Sequence, residues 1–236
     1  IKEGLFMQFV EPIKDVKKIE EMKETLGYVK EGASEKQELE AKRNRFLFVF
    51  GINIGLRISD IVCLTIYDLM DEAGEVREHL DIVEEKTGKH KRIRINNGLA
   101  KEIQEYVDEL LYKKYEIVYK KIKTDSETRE KYCKIYKTAY IFFSNKGGHL
   151  TRVQAYRVLD DASKECGIKN FGTHSLRKTF GFWHYKKDND IVILMQLFNH
   201  SSPSVTMRYI RTMPGNIRPK NGRFFLIKKV KKRGHI

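Results

Sequence analysis

Apolar residues recur at helical spacing along most of this 236-residue chain. Over 35–53, Phe46, Leu47, Val49 and Phe50, with Ile54 just beyond, face a core and predict a helix whose end is loosened by Gly51 and Gly55. Ser34 is its expected N-cap. Leu99, Ile103, Tyr106, Val107, Leu110 and Leu111 form the stripe of a helix over 98–122. Val153, Tyr156, Val158, Leu159 and Ala162 do the same over 151–166. Shorter helices are predicted over 15–26 and 190–198. Another begins at Arg57, with Ile58, Ile61, Val62 and Leu64 packed beneath it. Thr173 is the expected cap of a helix carrying His174 and Arg177, which continues into the core through Phe180, Phe182 and Trp183.

The period changes to two at 79–95. Leu80 and Ile82 lie on one arm and Ile93 and Ile95 on the other, with Lys86-Thr87-Gly88-Lys89 as the turn. A short buried strand is expected over 140–143. The pattern predicts a mainly α chain with a small antiparallel β-sheet (α+β).

Charge narrows the partners. The chain holds 46 Lys and Arg against 32 Asp and Glu, a net charge of +14. An excess of this size points to nucleic acid, although a generally basic surface has the same composition. Residues 1–42 hold eight basic and ten acidic residues, whereas 211–236 hold nine basic and no acidic ones. A polyanion should therefore meet the middle and end of the chain. Between Tyr112 and Lys137 nine basic residues interleave with five tyrosines. Such a mixture suits sugar–phosphate contact, or else a solvated helix whose tyrosines cover the core. The three cysteines, Cys63, Cys133 and Cys166, are widely spaced and contain no CxxC, which argues against a disulfide framework or a cysteine metal site. Cys63 and Cys166 are expected to pack as small apolar groups. No signal peptide or membrane-spanning run stands out, and a reducing cytoplasm is the expected compartment.

The candidate chemistry is concentrated between Phe171 and Arg211. His174 and Arg177 are three apart on a predicted helix, so both project from one face. His200 follows an apolar run, and Tyr209 comes nine residues later, after a serine- and proline-marked turn. H-x-x-R followed by L-x-N-H-S-S-P-S-V-T-x-R-Y resembles the C-terminal motifs of the tyrosine recombinases, the phage integrase family. GINIGLRISDIVCLTIYDL (51–69) resembles that family's first-arginine box, with Arg57 in the key place. EEKTGKHKRIRI (84–95) resembles its lysine-bearing β-hairpin, with the lysine at Lys86. H-x-x-R alone is a weak signal. Four motifs in the family's order, spanning about residues 41–211, are a strong one.

The resemblance implies a fold, a division of the chain and a mechanism. The division is a short N-terminal extension over 1–40, a recombinase catalytic domain over 41–211 and a basic tail over 212–236. Family members carry a separate DNA-clamping domain ahead of the catalytic one. Residues 1–40 leave no room for it, so the expectation is a lone catalytic domain or a piece of a longer protein. The tail departs from the family's apolar helix: Phe224 to Ile227 could dock as a strand, ahead of a basic end from Lys228 to Arg233. Tyr209 would attack a DNA phosphate and form a phosphotyrosine ester. Arg57, Arg177 and His200 would stabilise the transition state, His174 would assist proton transfer, and Lys86 would protonate the leaving oxygen. Asp60 could orient Arg57, although the two would also make an ordinary structural ion pair. Lys89, Lys91, Arg92, Arg152 and Arg157 are weaker candidates for phosphate contacts. No magnesium-type acidic cluster and no phosphate-cradling glycine loop is seen, so neither metal nor nucleotide cofactor is expected. The expected partners are double-stranded DNA and further copies of the chain assembled on it, with or without an accessory DNA-binding protein, and no membrane. Two other readings stay open: a DNA-binding module that keeps the fold without strand exchange, and an enzyme that only nicks and closes.

Overall fold

A computed structural model describes residues 10–211. The tail segment from Phe224 to Arg233, with its expected strand and basic end, lies outside the described residues. The elements run α1 (Val16–Gly27), α2 (Glu35–Ile54), α3 (Ile58–Val62), α4 (Ile66–Leu69), β1 (His79–Val83), β2 (His90–Arg94), α5 (Asn97–Tyr115), α6 (Ser126–Ile135), α7 (Arg152–Glu165), α8 (Ser175–Asp188), α9 (Ile191–Phe198) and α10 (Pro203–Tyr209). The two strands form an antiparallel hairpin with His79 opposite Arg94 and Val83 opposite His90. The architecture is the mainly α chain with a small antiparallel sheet that the pattern predicts.

Helix α2 is the centre. Eleven of its 20 residues are buried, on every side of the helix, which is why its apolar positions do not form a narrow stripe. Helices α1, α5, α7 and α8 surround it. Phe46 stacks on Tyr106 at 4.4 Å and on Phe142 at 5.6 Å, fixing α2 against α5 and the 140–143 segment. Ser34 and Gln37 complete a reciprocal capping box at its start. Helix α1 buries Ile19, Met22 and Leu26 in the same core. The segment before it is tied to α8: the Ile13 N–H donates to Thr179 Oγ1 at 2.8 Å, and Trp183 Nε1 donates to the Ile13 carbonyl at 2.9 Å.

Several expectations are corrected. Helix α5 stops at Tyr115, not near 122, because Glu116 adopts a left-handed conformation at φ 56°. This reversal lets Ile117 and Ile122, each 1 % exposed, turn into the core. The strand expected over 140–143 does not form: Ile141 and Phe142 are buried in a turn, flanked by single bridges that link Tyr140 to Thr65 and Phe143 to His149. The N-cap of α8 is His174, not Thr173, and the turn is held instead by the Gly172 N–H donating to Ser175 Oγ at 3.0 Å. Cys166 is buried as expected, but Cys63 is exposed. Of the five tyrosines between 112 and 137, Tyr132 and Tyr136 are core residues, and Tyr112 faces solvent.

A smaller apolar cluster of Leu194, Phe198, Met207 and Ile210 joins α9 to α10, with Phe180, Leu197 and Tyr209 packed against it. Helix α8 approaches it closely at Gly181, where a Cβ would come within 2.7 Å of Ile210. This cluster is the floor beneath Tyr209.

Candidate active site

The site lies where the ends of α2, α8, α9 and α10 meet the turn end of the hairpin. Helix α2 ends at Gly55, which takes φ 69° with the Phe180 ring packed against its Cα. The turn delivers Arg57 to the N-cap of α3 with its side chain 20 % exposed. Its expected partner Asp60 is the more distant one. Arg57 Nη1 lies 4.0 Å from Asp60 but 2.8 Å from Glu84. That nitrogen has no well-aligned hydrogen-bond acceptor, so its donor capacity is not consumed by the ion pair. Asp60 instead accepts from the Glu85 backbone N–H at 3.1 Å and so pins the hairpin to α3. Burial raises the Asp60 carboxyl above its ordinary range, against the lowering effect of that N–H.

Arg177, 4 % exposed, is held on two carbonyls. Nη1 donates to Gly55 O at 2.9 Å and Nη2 to Leu197 O at 3.3 Å, while the guanidinium lies 4.6 Å over the Phe198 ring. The left-handed residue Asn199, at φ 55°, closes α9 and turns the chain into His200. Ser202 caps α10 and Pro203 starts it, so the helix places Tyr209 one short element away. His200 Nδ1 is 3.0 Å from Thr206 Oγ1, and its ring meets Tyr209 edge-on at 5.0 Å. The Tyr209 hydroxyl lies 3.2 Å from His174 Nδ1. The Lys178 ammonium sits 5.1 Å over the Tyr209 ring.

The electrostatics favour an anion. Burial raises the Tyr209 phenol above its ordinary value, and the nearby Arg177 and Arg57 guanidiniums oppose that shift. Both imidazoles are pulled down, first by loss of surrounding water and then by positive neighbours: Arg177, Lys178, Arg152 and Arg57 for His174, and Arg177, Arg57 and Lys91 for His200.

The structure thus gathers Arg57, His174, Arg177, His200 and Tyr209. Lys86 is exposed on the hairpin turn, with no hydrogen bond or ion pair among the described residues. Lys89, Arg92, Arg152 and Arg157 are exposed, as phosphate contacts require. Arg152 is also near enough to His174 to lower its proton affinity. Lys91 differs from the surface lysine expected: its side chain is 8 % exposed and pairs with Glu84 at 2.7 Å, and it also donates to Leu197 O. Period-two alternation carries the signal for this, since Lys91 shares a strand face with Ile93 and Ile95. Glu84 itself was not singled out from the sequence, and nor were Lys178, Asn199 and Thr206. Among the described residues no group of three or more His, Cys, Asp or Glu could hold a metal ion, and no helix is long and apolar enough to cross a membrane.

Residues 19–215 match the sequence profile of the phage integrase family. The chain is 37% identical over 204 residues to the protein named Probable integrase/recombinase YoeC of Bacillus subtilis (strain 168), covering 86% of this chain and 91% of that one. It is 26% identical over 168 residues to tyrosine recombinase XerD of Mycobacterium leprae (strain TN), covering 71% of this chain but 47% of the relative. The fold is similar to that of the XerH site-specific recombinase bound to palindromic difH substrate. The TM-score is 0.59 at 20% identity, over 86% of this chain and 48% of the other. The chain thus spans nearly all of one relative and about half of the Xer proteins.

Proposed function

The chain belongs to the phage integrase family, the tyrosine recombinases, and from that premise we propose that it is a site-specific DNA recombinase working through a 3′-phosphotyrosine intermediate. The Tyr209 oxygen attacks the scissile phosphorus while the phenol proton moves toward His174 Nδ1. The bond from phosphorus to the 5′-oxygen breaks, and that oxygen takes a proton from Lys86. Attack by a 5′-hydroxyl on the phosphotyrosine reverses the steps and rejoins a strand. The ester keeps the bond energy of the phosphodiester, so the scheme uses no nucleotide cofactor. Arg57 and Arg177 supply planar donors to the non-bridging oxygens, and His200 adds a third.

The observation that carries this reading is the Tyr209 hydroxyl at 3.2 Å from His174 Nδ1, beside the buried Arg177. The substrate is double-stranded DNA. The exposed Lys89, Arg92, Arg152 and Arg157 track its backbone, and further copies of the chain, with or without an accessory DNA-binding protein, complete the assembly on it. Residues 41–211 hold all six proposed groups and act as the catalytic unit. The test is incubation with element–host junction DNA, followed by denaturing electrophoresis. The parent forms a covalent protein–DNA band, and Tyr209→Phe binds the DNA but forms none. DNA binding without a band in the parent would leave only a binding module. Supercoil relaxation without strand exchange would mark a nicking-closing enzyme.

A further inference from the structure

Glu84 is completely buried, yet it belongs to none of the six proposed groups. Its carboxylate meets Arg57 at 2.8 Å and Lys91 at 2.7 Å, and accepts from Thr87 Oγ1 at 2.8 Å and Asn199 Nδ2 at 2.9 Å. Arg177 Nη1 is 3.8 Å away. The backbone of Glu84 also closes the lysine-bearing turn, since its carbonyl accepts from Gly88 N and its N–H donates to Lys89 O. One side chain therefore touches Arg57, the residue after Lys86 and the residue before His200. Lys91 shares one acceptor with each arginine: Glu84 with Arg57, and Leu197 O with Arg177.

A buried carboxylate is tolerated only when paired, and three neighbouring cations are tolerated only with a counter-charge. Glu84 satisfies both conditions and leaves the pocket with an excess of positive charge. Burial alone would raise its carboxyl, but the hydrogen bonds from Lys91 and Thr87, with the Arg57 guanidinium beside it, outweigh that and bring it to about 2.

We propose that Glu84 is a positioning residue that, with Lys91 as its counter-charge, sets Arg57 and the Lys86 turn against the scissile phosphate. This rests on the recombinase reading above. It assigns Lys91 to the interior of the site, not to the DNA-tracking surface.

The test uses the full chain and its Glu84→Gln, Glu84→Asp, Lys91→Met and Glu84→Gln/Lys91→Met variants. Single-turnover cleavage is measured at saturating junction DNA, affinity is measured separately, and nitrogen-15 NMR follows the Arg57 side-chain N–H signals without DNA. Glu84→Gln should bind DNA as the parent does and cleave about 10²-fold more slowly, the scale of a misplaced catalytic group. Its Arg57 side-chain signals should broaden. The double variant should regain part of the lost rate, because removing both charges relieves the unbalanced lysine. Cleavage by Glu84→Gln at the parent rate, or faster, overturns the proposal; a faster rate would make Glu84 an occupant that the phosphate displaces. If Glu84→Gln does not fold, Glu84→Asp decides: its shorter arm cannot bridge all four partners, and it must show the same loss of rate at unchanged affinity. The NMR readout needs no cleavage. A parent that forms no adduct would therefore sink the recombinase reading while unchanged Arg57 signals in the variant would separately sink this one.

Discussion

The Tyr209 hydroxyl and His174 Nδ1 stand 3.2 Å apart although 35 residues separate them in sequence. Tyr209 is the last residue of α10, and His174 is the N-cap of α8. The two groups are tuned in opposite directions. Tyr209 holds its proton more tightly than a free phenol, mainly through burial, and His174 holds a proton less tightly than a free imidazole. At neutral pH the pair therefore rests as phenol and neutral imidazole, the pairing in which nitrogen can receive the proton as attack begins.

A pH dependence follows. The folded His174 value lies below the ordinary one of about 6.5, so the neutral form persists to lower pH than in a free peptide. The cleavage rate at saturating DNA should hold through neutrality and fall on the acid side, with a midpoint below about 6.5. His174→Gln should slow cleavage and remove that acid limb. If His200→Gln removes the limb and His174→Gln leaves it, the proton goes to His200 instead. Stability should follow the same sign. Depressed folded values of His174 and His200 contribute stability above about 6.5 that is lost as pH falls through the folded values.

Gly55 should be intolerant of any side chain. Its φ of 69° is left-handed, and a Cβ there would collide with the Phe180 ring. Its carbonyl also anchors Arg177 Nη1 at 2.9 Å. Gly55→Ala should lower stability by about 1–3 kcal/mol, read from the urea midpoint. Cleavage should fall further than the loss of folded protein explains, because the Arg177 anchor moves. An unchanged midpoint would mean that α2 can end without the left-handed turn.

The fold was legible where one element's own pattern decides it. The apolar positions of α2 and α7 predict both helices, and Ser34 caps α2 as expected because a cap needs only local geometry. The end of α5 was not legible. Nothing at Glu116 favours a left-handed residue, and the reversal goes with burial of Ile117 and Ile122 in the core. The site divides in the same way. His174, Arg177, His200 and Tyr209 stand in one short stretch whose spacing carries the resemblance. Glu84 stands in a charged hairpin and reads as a solvated glutamate; only the tertiary meeting of α3, α8, α9 and the hairpin buries it. Asp60, three residues from Arg57, is the partner that local spacing predicts, but the closer carboxylate comes from across the site.

The last expectation concerns the leaving-group acid, for which the structure offers two lysines in different settings. Lys86 is exposed on a turn whose Gly88 takes φ 62° and whose Thr87 hydroxyl is tied to Glu84. The turn is thus fixed at its base, and the lysine at its tip can reach into a groove. Lys91 lies inside, and burial lowers the proton affinity of its ammonium, opposed by the hydrogen bond to Glu84. A strongly basic 5′-alkoxide leaves slowly unless protonated, and general-acid help typically contributes about 10²–10⁴-fold. A substrate with sulfur in place of that bridging oxygen leaves without a proton. Lys86→Ala should therefore be severely slowed on ordinary DNA and largely rescued on the sulfur-bridged substrate. Lys89→Ala, three residues along the turn, should show a small loss of binding and no selective rescue. Lys91→Met should be slowed equally on both substrates, because it disturbs the arginines and not the leaving group. Rescue of Lys91→Met without rescue of Lys86→Ala would move the acid to the interior lysine. Rescue of neither would pass the role to one of the two imidazoles beside Tyr209.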